Sequence, residues 1–427
     1  MYGRQEVYTK KMGPSDWNRR PGIAFQKGQP RCCRCGTWIS KDCRLADGRY
    51  FCSGCLLLGR IKEGDELVTD FTPITIDRAN VSCVWTGTLT PEQATVAESL
   101  KDCLTQGKNA LLWAVTGAGK TEMLFPVLEQ AFQQGLQVAY ATPRIDVCNE
   151  IHPRLCQAFP AAEILLRHSQ GEDWRDFQLL VATTHQLLHF YKAFDLLIID
   201  ESDAFPYVNN PVLHYASRQA VKEQGITIHL TATPSRDLKK QREKENWRLL
   251  TLFQRYHKRP LVVPELCFME GWWQLPEKQR SLKKLARLCE VLLKDNRVLL
   301  FCPQVDYLKR LEKNLKPQLS QWRVTSVSAR DERRQEKVQG MREEAWDLLI
   351  TTTVLERGVT FANVSVIVLG ADHEIFTKSV LIQIAGRVDR LGEYRRGRVL
   401  FCYQEKTYSL RQAIAEIKDI NRNKGGS

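Results

Sequence analysis

The sequence predicts an α/β protein with two tandem, doubly wound parallel-sheet domains and a small cysteine-rich module before them. Three observations support this fold class. Short apolar runs alternate with helical stretches from about residue 76, and this alternation occurs in two successive series. In addition, six of the 14 cysteines fall between Cys32 and Cys55.

Continuous apolar runs mark the strands of both series, which is typical of parallel strands covered on both faces and joined by right-handed helical crossovers. The first series comprises 110–115, 137–141, 162–167, 179–183, 195–199 and 226–231, and the second comprises 297–302, 323–328, 347–351, 364–369 and 397–403. A charged tract at 236–282, which contains Trp272 and Trp273, separates them. We therefore predict a basic, partly flexible arm at 1–31, the cysteine module at 32–75, a first domain with the hinge at 76–280 and a second domain at 281–427.

Charge and composition narrow the classes of partner and compartment. The net charge of +13 and the pI of about 9.1 favour a polyanionic partner, either nucleic acid or an anionic membrane surface. No apolar run approaches the roughly 20 residues needed to cross a bilayer, and the first residues lack a signal-peptide core. We therefore predict a cytoplasmic protein, in which cysteines are metal ligands or core residues rather than disulfides.

The cysteine module has the spacing of a metal site. Cys32-x-x-Cys35 and Cys52-x-x-Cys55 are separated by sixteen residues, and two such knuckles complete a tetrahedral Cys₄ zinc site. A set of free or redox-active thiols is the alternative interpretation. Cys33 and Cys43 are surplus to the pattern, and Cys33-x-Cys35 remains open as a competing pair of ligands.

A phosphate-binding loop follows the first predicted strand of the first α/β domain and opens a helix. Glycine-containing loops of this kind wrap backbone N–H groups around phosphates, which here predicts an ATP site formed by Thr116, Gly117, Ala118, Gly119, Lys120 and Thr121. Lys120 is expected to reach the β- and γ-phosphates, and Thr121 to bind Mg²⁺. At the end of an apolar strand, Asp200 is expected to hold Mg²⁺ and Glu201 to polarise the attacking water.

With these motifs, residues 85–403 resemble superfamily 2 helicases and translocases, whose two domains are RecA-like. The resemblance implies that Gln93 reads adenine, that Gly358 lies in a motif at the nucleotide, and that Arg387 and Arg390 are arginine fingers. Thr231-Ala232-Thr233 resembles the motif that couples hydrolysis to strand movement. The resemblance also implies a set of residues that contact a nucleic-acid strand, namely Arg144, Thr184, His185, Thr352 and Thr353.

The order of cysteine module and motor resembles the ComFA family of late competence proteins, which is related to the PriA helicases. That resemblance implies translocation of single-stranded DNA during uptake of transforming DNA, with a ComFC-like partner and a docking site at the inner face of the membrane. Two other functions stay open. One is a DNA- or RNA-remodelling helicase of the DEAD-box or PriA type, and the other is an ATP-gated nucleic-acid adaptor with little turnover.

Overall fold

The computed structural model describes residues 2–8, 17–73, 81–169, 171–390 and 397–423. Part of the predicted basic arm and the predicted boundary at residue 75 lie outside these ranges. The chain divides into two compact units, Met1–Trp113 with Lys120–Thr251, and Ala114–Gly119 with Leu252–Ser427. Among the described residues, no helix is long and apolar enough to span a bilayer.

The N-terminal part of the first unit is built from short antiparallel strands. Strands β1, β5 and β2 form a sheet in that order, and β3 pairs with β4 as a hairpin. Their bounds are β1 Gln5–Val7, β2 Asn18–Pro21, β3 Ile23–Gln26, β4 Gln29–Cys32 and β5 Glu66–Thr69. A short 3₁₀ helix, Leu56–Leu58, follows the last cysteine of the module.

The described part of the predicted arm contains strands β1 to β3 and most of β4, and its partial flexibility stays a prediction. Two of its side chains contact residues from distant parts of the chain. The Gln5 amide donates to the carbonyls of Leu188 (2.9 Å) and Phe190 (3.1 Å). The guanidinium of Arg20 lies 3.5 Å from the centroid of the Tyr191 ring. Composition alone carries no information about such partners.

A mostly parallel sheet forms the centre of the first unit. In the described chain it has seven strands in the order β12-β6-β11-β10-β7-β9-β8, namely β6 Ala110–Ala114, β7 Val138–Thr142, β8 Ile164–Arg167, β9 Leu179–Thr183, β10 Phe194–Ile199, β11 Val221–Thr231 and β12 Arg248–Leu252. The helices of this unit are α1 Pro91–Thr105, α2 Lys120–Gln133, α3 Ile145–Ala158, α4 Pro211–Ala220 and α5 Arg236–Lys244, with a 3₁₀ turn at Thr184–His189. Burial on both faces explains the apolar runs of the central strands.

A second parallel sheet forms the centre of the second unit. Its described strands follow the order β13-β18-β17-β14-β16-β15, with bounds β13 Glu265–Phe268, β14 Arg297–Phe301, β15 Val324–Val327, β16 Leu348–Thr351, β17 Val364–Leu369 and β18 Val399–Tyr403. The helices are α6 Gln279–Leu293, α7 Val305–Leu315, α8 Arg334–Arg342, α9 Lys378–Ala385 and α10 Tyr408–Arg422, with 3₁₀ turns at Trp272–Gln274, Lys316–Leu319 and Thr353–Leu355. The predicted fold class is confirmed.

The C-terminal part of the tract expected to be a hinge belongs to the second unit, whose main segment begins at Leu252. Strand β13 pairs with β18 in register, with Cys267 opposite Cys402. Trp272 is only 7% exposed and packs edge-on against Tyr307, whereas Trp273 is 45% exposed. Trp272 is therefore a core residue of the second unit.

Candidate ATP, metal and nucleic-acid sites

Four cysteines of the N-terminal module converge on one point. The Sγ atoms of Cys32, Cys35, Cys52 and Cys55 all lie within 4.8 Å of one another, and all four residues are buried. The Sγ–Sγ distances are 3.8 Å for Cys32–Cys55, 3.5 Å for Cys35–Cys52 and 3.6 Å for Cys52–Cys55. Tetrahedral zinc with Zn–S bonds of about 2.3 Å requires about 3.8 Å between sulfurs, so the donor set fits this metal.

The surroundings of the four sulfurs also suit a charged thiolate cluster. Arg34 is 5% exposed, and its guanidinium donates to the Cys55 carbonyl (2.9 Å) and lies 3.1 Å from Cys55 Sγ. A donor of this kind orients and stabilises a thiolate ligand. Cys33 and Cys43 lie outside the cluster and are partly exposed. Geometry therefore favours the two C-x-x-C pairs over the alternative pair Cys33-x-Cys35.

The predicted phosphate-binding loop lies between strand β6 and the start of α2. Gly117 and Gly119 have φ values of +83° and +75°, which residues with a Cβ atom rarely adopt. Lys120 is the first residue of α2, so the loop ends where unpaired helix N–H groups favour anions. Thr121 follows in the first turn of the helix and is 8% exposed. A curled loop at a helix N-terminus fits the phosphates of ATP.

An acidic turn leaves the C-terminal end of β10, and it begins with Asp200, which is 8% exposed. One carboxylate oxygen, Oδ1, accepts the backbone N–H of Glu201 (2.8 Å), and the other, Oδ2, accepts the hydroxyl of Tyr140 (2.6 Å). Glu201 has a φ of +53°, a left-handed conformation that is strained for a residue with a side chain. Hard carboxylate and hydroxyl oxygens, supplied by Asp200 and Thr121, are the ligands that Mg²⁺ prefers.

Burial raises the pKa of Tyr140 well above its ordinary value, and the adjacent negative charge of Asp200 adds to the shift. The phenol is thus protonated throughout the physiological range and remains a hydrogen-bond donor.

Asp203 connects the acidic turn to the end of β11. Its Oδ1 accepts the hydroxyl of Thr231 (2.7 Å), and its Oδ2 accepts the hydroxyl of Thr233 (2.5 Å). The Thr231 hydroxyl also accepts the backbone N–H of Thr233 at 3.0 Å. All three residues are buried. We refer to these three side chains as the Asp203 bridge, which joins two neighbouring strand ends of the first sheet.

The residue expected to read adenine lies at the start of α1. Gln93 is 4% exposed, and its Oε1 accepts the backbone N–H of Thr90 (2.8 Å) in a capping box. Trp85 is 37% exposed and packs edge-on against Phe125 of α2. Gln93 therefore has a structural role as a helix cap, and its role in adenine recognition stays a prediction.

The two predicted arginine fingers lie at and beyond the C-terminal end of α9. Arg387 is 3% exposed and donates to the carbonyl of Glu356 (3.0 Å), and Arg390 donates to that of Val359 (3.3 Å). Both guanidiniums therefore contact the segment that contains Gly358, which has a φ of +70°. The structure brings the two predicted second-domain motifs together.

A buried arginine joins the phosphate-binding loop to this region within the second unit. Arg255 is 2% exposed and donates to the carbonyls of Thr116, Gly386, Val388 and Asp389, at 2.9 to 3.2 Å. Burial lowers the pKa of Arg255 to about 10, so the guanidinium remains charged at neutral pH. The Thr116 hydroxyl also donates to Gln383 Oε1 at 3.2 Å.

The predicted nucleic-acid residues follow strands on both sheets. Arg144 is the N-cap of α3, directly after β7, and is partly exposed, and His185, after β9, is exposed. Thr184 is fully buried and Thr352 is 7% exposed, whereas Thr353 is partly exposed. Among the first unit's residues that are predicted to contact nucleic acid, Arg144 and His185 thus have accessible side chains.

Sequence analysis missed Tyr140 and Arg255 as candidate site residues. Tyr140 is the single hydroxyl-bearing residue within the apolar run 138–141, and a phenol in such a strand needs a hydrogen-bond partner. That signal was available. Arg255 stands in a run of basic residues, and nothing local distinguishes the buried arginine from its exposed neighbours.

Two families of known proteins match the two units. The DEAD/DEAH box helicase family matches residues 90–241. The helicase conserved C-terminal domain matches residues 283–392. Together they cover more than half of the chain.

Curated relatives and a solved structure agree with these matches. The chain is 40% identical to Competence protein ComFA of Streptococcus pneumoniae, over 95% of this chain and 93% of that protein. It is 38% identical to Competence protein ComFA of Bacillus subtilis, over 93% and 87% respectively. It shares its fold with S. cerevisiae Dbp5 bound to RNA and ADP BeF3, with a TM-score of 0.58, 15% identity and coverage of 79% of this chain and 93% of that one. The chain is thus a nucleic-acid-dependent ATPase of the superfamily 2 helicase type, and it belongs to the ComFA family of competence proteins.

Proposed function

We propose that this protein is an ATP-driven translocase of single-stranded DNA that draws transforming DNA into the cytoplasm during natural competence. The identity to Competence protein ComFA supports the role in DNA uptake, and the Asp203 bridge supports the coupling of ATP hydrolysis to movement. The bridge connects the acidic turn of the candidate ATP site to the end of β11 through buried hydrogen bonds. A change at the nucleotide therefore has a direct physical path to a neighbouring loop of the motor.

In this proposal four side chains of the first unit bind the phosphates and Mg²⁺ and activate the attacking water. Lys120 pairs with the phosphates, Thr121 and Asp200 bind Mg²⁺, and Glu201 polarises the attacking water. Mg²⁺ neutralises charge on the phosphates when it is bound. Arg387 and Arg390 stabilise the charge that develops during cleavage. Arg387→Ala is expected to lower the turnover number about 10³-fold or more, the scale known for arginine fingers, with little loss of ATP affinity.

Nucleic-acid binding rests on charge and on accessible strand-end residues. The net charge of +13 favours a polyanion, and phosphate contacts make binding independent of base sequence. Of the two accessible residues predicted to contact the strand in the first unit, Arg144 is the one that carries a guanidinium for a phosphate contact. Arg144→Ala is therefore expected to weaken binding equally for all sequences and to lower the slope of log K against log salt by about one.

The identity to the ComFA proteins favours translocation over the two alternative functions, which differ in what they predict for ATP hydrolysis. The adaptor alternative predicts slow turnover whatever the nucleic acid. A remodelling helicase of the DEAD-box type predicts stimulation by RNA.

One experiment separates these functions. ATP hydrolysis is measured with single-stranded DNA, duplex DNA and RNA of the same sequence, and movement is followed by displacement of streptavidin from the end of a biotinylated strand. The proposal expects strong stimulation by single-stranded DNA and ATP-dependent displacement, both abolished in Lys120→Ala. Preferential stimulation by RNA, or hydrolysis without displacement, would contradict it.

We further propose zinc at the four cysteines, with contact to a ComFC-like partner and to an uptake channel at the inner face of the membrane. The sulfur spacing and the Arg34 contacts support the metal. The partners rest on the resemblance to the family, and the cytoplasmic location stays a prediction from the sequence. Metal analysis of protein purified without chelators tests the first point, and co-purification with the partner tests the second.

A further inference from the structure

Tyr140 is an unusual residue for its position in the sheet. It lies in the middle of β7, where its neighbours across the sheet are Ile198 of β10 and Val181 of β9. The side chain is 1% exposed, and a hydroxyl in such surroundings is costly unless it finds a partner. An apolar side chain would fill the same space without that requirement.

The partner is the carboxylate that we assign to Mg²⁺. The Tyr140 hydroxyl donates to Asp200 Oδ2 at 2.6 Å, within the range of a charge-assisted bond. The other oxygen accepts the Glu201 N–H, so each oxygen has one fixed donor. A carboxylate held at both oxygens has its side-chain torsions fixed, and each oxygen keeps a lone pair for another contact.

We propose that Tyr140 is a positioning residue for the reaction, whose hydroxyl holds the Asp200 carboxylate in the orientation that binds the Mg²⁺ of Mg·ATP. This inference rests on the proposed role of Asp200. Groups that orient metal ligands in this way are worth 10- to 100-fold in metal affinity or activity. The hydroxyl thus contributes to Mg²⁺ affinity without touching the metal or the nucleotide.

The test is Tyr140→Phe, which removes one oxygen and keeps the ring. The matched control is Tyr307→Phe, which removes an equally buried hydroxyl that donates to the Trp272 carbonyl at 2.5 Å in the second unit. Affinity for a fluorescent, hydrolysis-resistant ATP analogue is measured in EDTA and across a Mg²⁺ titration. Hydrolysis across the same titration gives a second readout.

Tyr140→Phe is expected to bind the analogue normally in EDTA, which also shows that the site is folded. Its half-saturating Mg²⁺ concentration is expected to rise about 10-fold or more, in both binding and hydrolysis, while Tyr307→Phe matches the wild type. An unchanged Mg²⁺ titration would overturn the proposal. So would an equal loss of analogue binding with and without Mg²⁺, because that result indicates a purely structural role.

Asp200→Asn separates this inference from the function on which it depends. If Asp200→Asn abolishes the Mg²⁺-dependent gain in analogue affinity and Tyr140→Phe leaves it intact, the assignment of Asp200 stands and the role of Tyr140 is refuted. If Asp200→Asn itself leaves the Mg²⁺ titration unchanged, the proposed metal ligand is wrong.

Discussion

Replacing Thr231 with valine tests the Asp203 bridge, because valine keeps the shape of the side chain and removes its hydroxyl. Thr231 is 1% exposed and makes two of the bridge's hydrogen bonds, as donor to Asp203 Oδ1 and as acceptor of the Thr233 N–H. Thr233 contributes one hydroxyl bond, to Asp203 Oδ2. We therefore expect substitutions of the two threonines to lower local stability by different amounts.

The magnitudes follow from the bonds that each substitution removes. A hydrogen bond to a charged group contributes about 1.5–3 kcal/mol, and one between neutral groups about 0.5–1.5 kcal/mol. Thr231→Val is expected to lower local stability by about 2–4.5 kcal/mol, the sum of one bond of each kind. Thr233→Val is expected to lower it by about 1.5–3 kcal/mol, for the charged bond alone.

Hydrogen exchange in peptides from β10 and β11 measures these losses locally. A local probe is needed because a chain with two compact units need not unfold in a single step. Thr231→Ser is the matched control, since it keeps the hydroxyl and loses one methyl group, worth about 0.8 kcal/mol.

The bridge would be refuted if Thr231→Val exchanged no faster than Thr231→Ser. A larger loss in Thr233→Val than in Thr231→Val would contradict the assignment of the second bond. If the bridge also couples ATP hydrolysis to the residues that contact nucleic acid, Thr233→Val should lower the DNA-stimulated rate of ATP hydrolysis more than the basal rate.

Three further predictions concern the ATP site, the metal and acid stability. Lys120→Ala is expected to lose ATP affinity, whereas Glu201→Gln is expected to bind ATP and DNA without hydrolysing ATP. Normal turnover in either variant, measured by phosphate release, would contradict the assignment of the ATP site. The purified protein is expected to contain one zinc ion per chain, and Cys32→Ser with Cys35→Ser is expected to abolish it, as measured by elemental analysis; wild-type protein without zinc would contradict this. Desolvation lowers the pKa of the buried His229 ring to about 3, so the ring binds a proton more readily in the unfolded chain. The contribution of the neutral ring to the free energy of unfolding is therefore complete above about pH 6.5 and is lost as the pH falls toward 3. Between pH 7.5 and 5 this loss is about 2 kcal/mol. His229→Phe, which retains an aromatic ring against Trp247, should reduce by that amount the loss of local stability on acidification, measured by hydrogen exchange in peptides from β11; an equal loss in wild type and variant would refute the assignment.

Local pattern was sufficient for most of the architecture. Continuous apolar runs predicted the central strands of both sheets, and the confirmed fold class followed from their order. Strand β13 was missed because its four residues lie in a charged tract containing prolines, where local composition disfavours a strand. Its pairing with β18, more than 130 residues away, is a tertiary effect that local composition does not reveal.

The candidate site was predictable in its residue types and not in its hydrogen bonds. The motifs placed Asp200 and Glu201 at a strand end, and the structure agrees. They did not indicate that Tyr140 donates to Asp200, nor that Gln93 caps its own helix. These contacts depend on the register of neighbouring strands and on side-chain orientation, which one sequence does not specify.

The cysteine module, whose predicted boundary at residue 75 lies outside the described residues, packs against the first domain. Its four buried cysteines share one hydrophobic cluster with residues of the first sheet and of α4, including Leu213 and Ala216. The contact is close, because a Cβ added at Gly36 would lie 2.4 Å from the Tyr215 ring. The Tyr215 hydroxyl also lies 3.4 Å from the Cys33 carbonyl, to which it donates.

This packing joins the module to the helix that follows the acidic turn along the chain. Helix α4 begins at Pro211, after the turn that contains Asp200, Glu201 and Asp203, and it contributes residues to the buried cluster that holds the four cysteines. Metal binding at a structural site contributes directly to folding free energy. Because the four cysteines and α4 share one buried cluster, we expect the free energy of metal binding at the proposed zinc site to stabilise α4 as well as the cysteine knuckles.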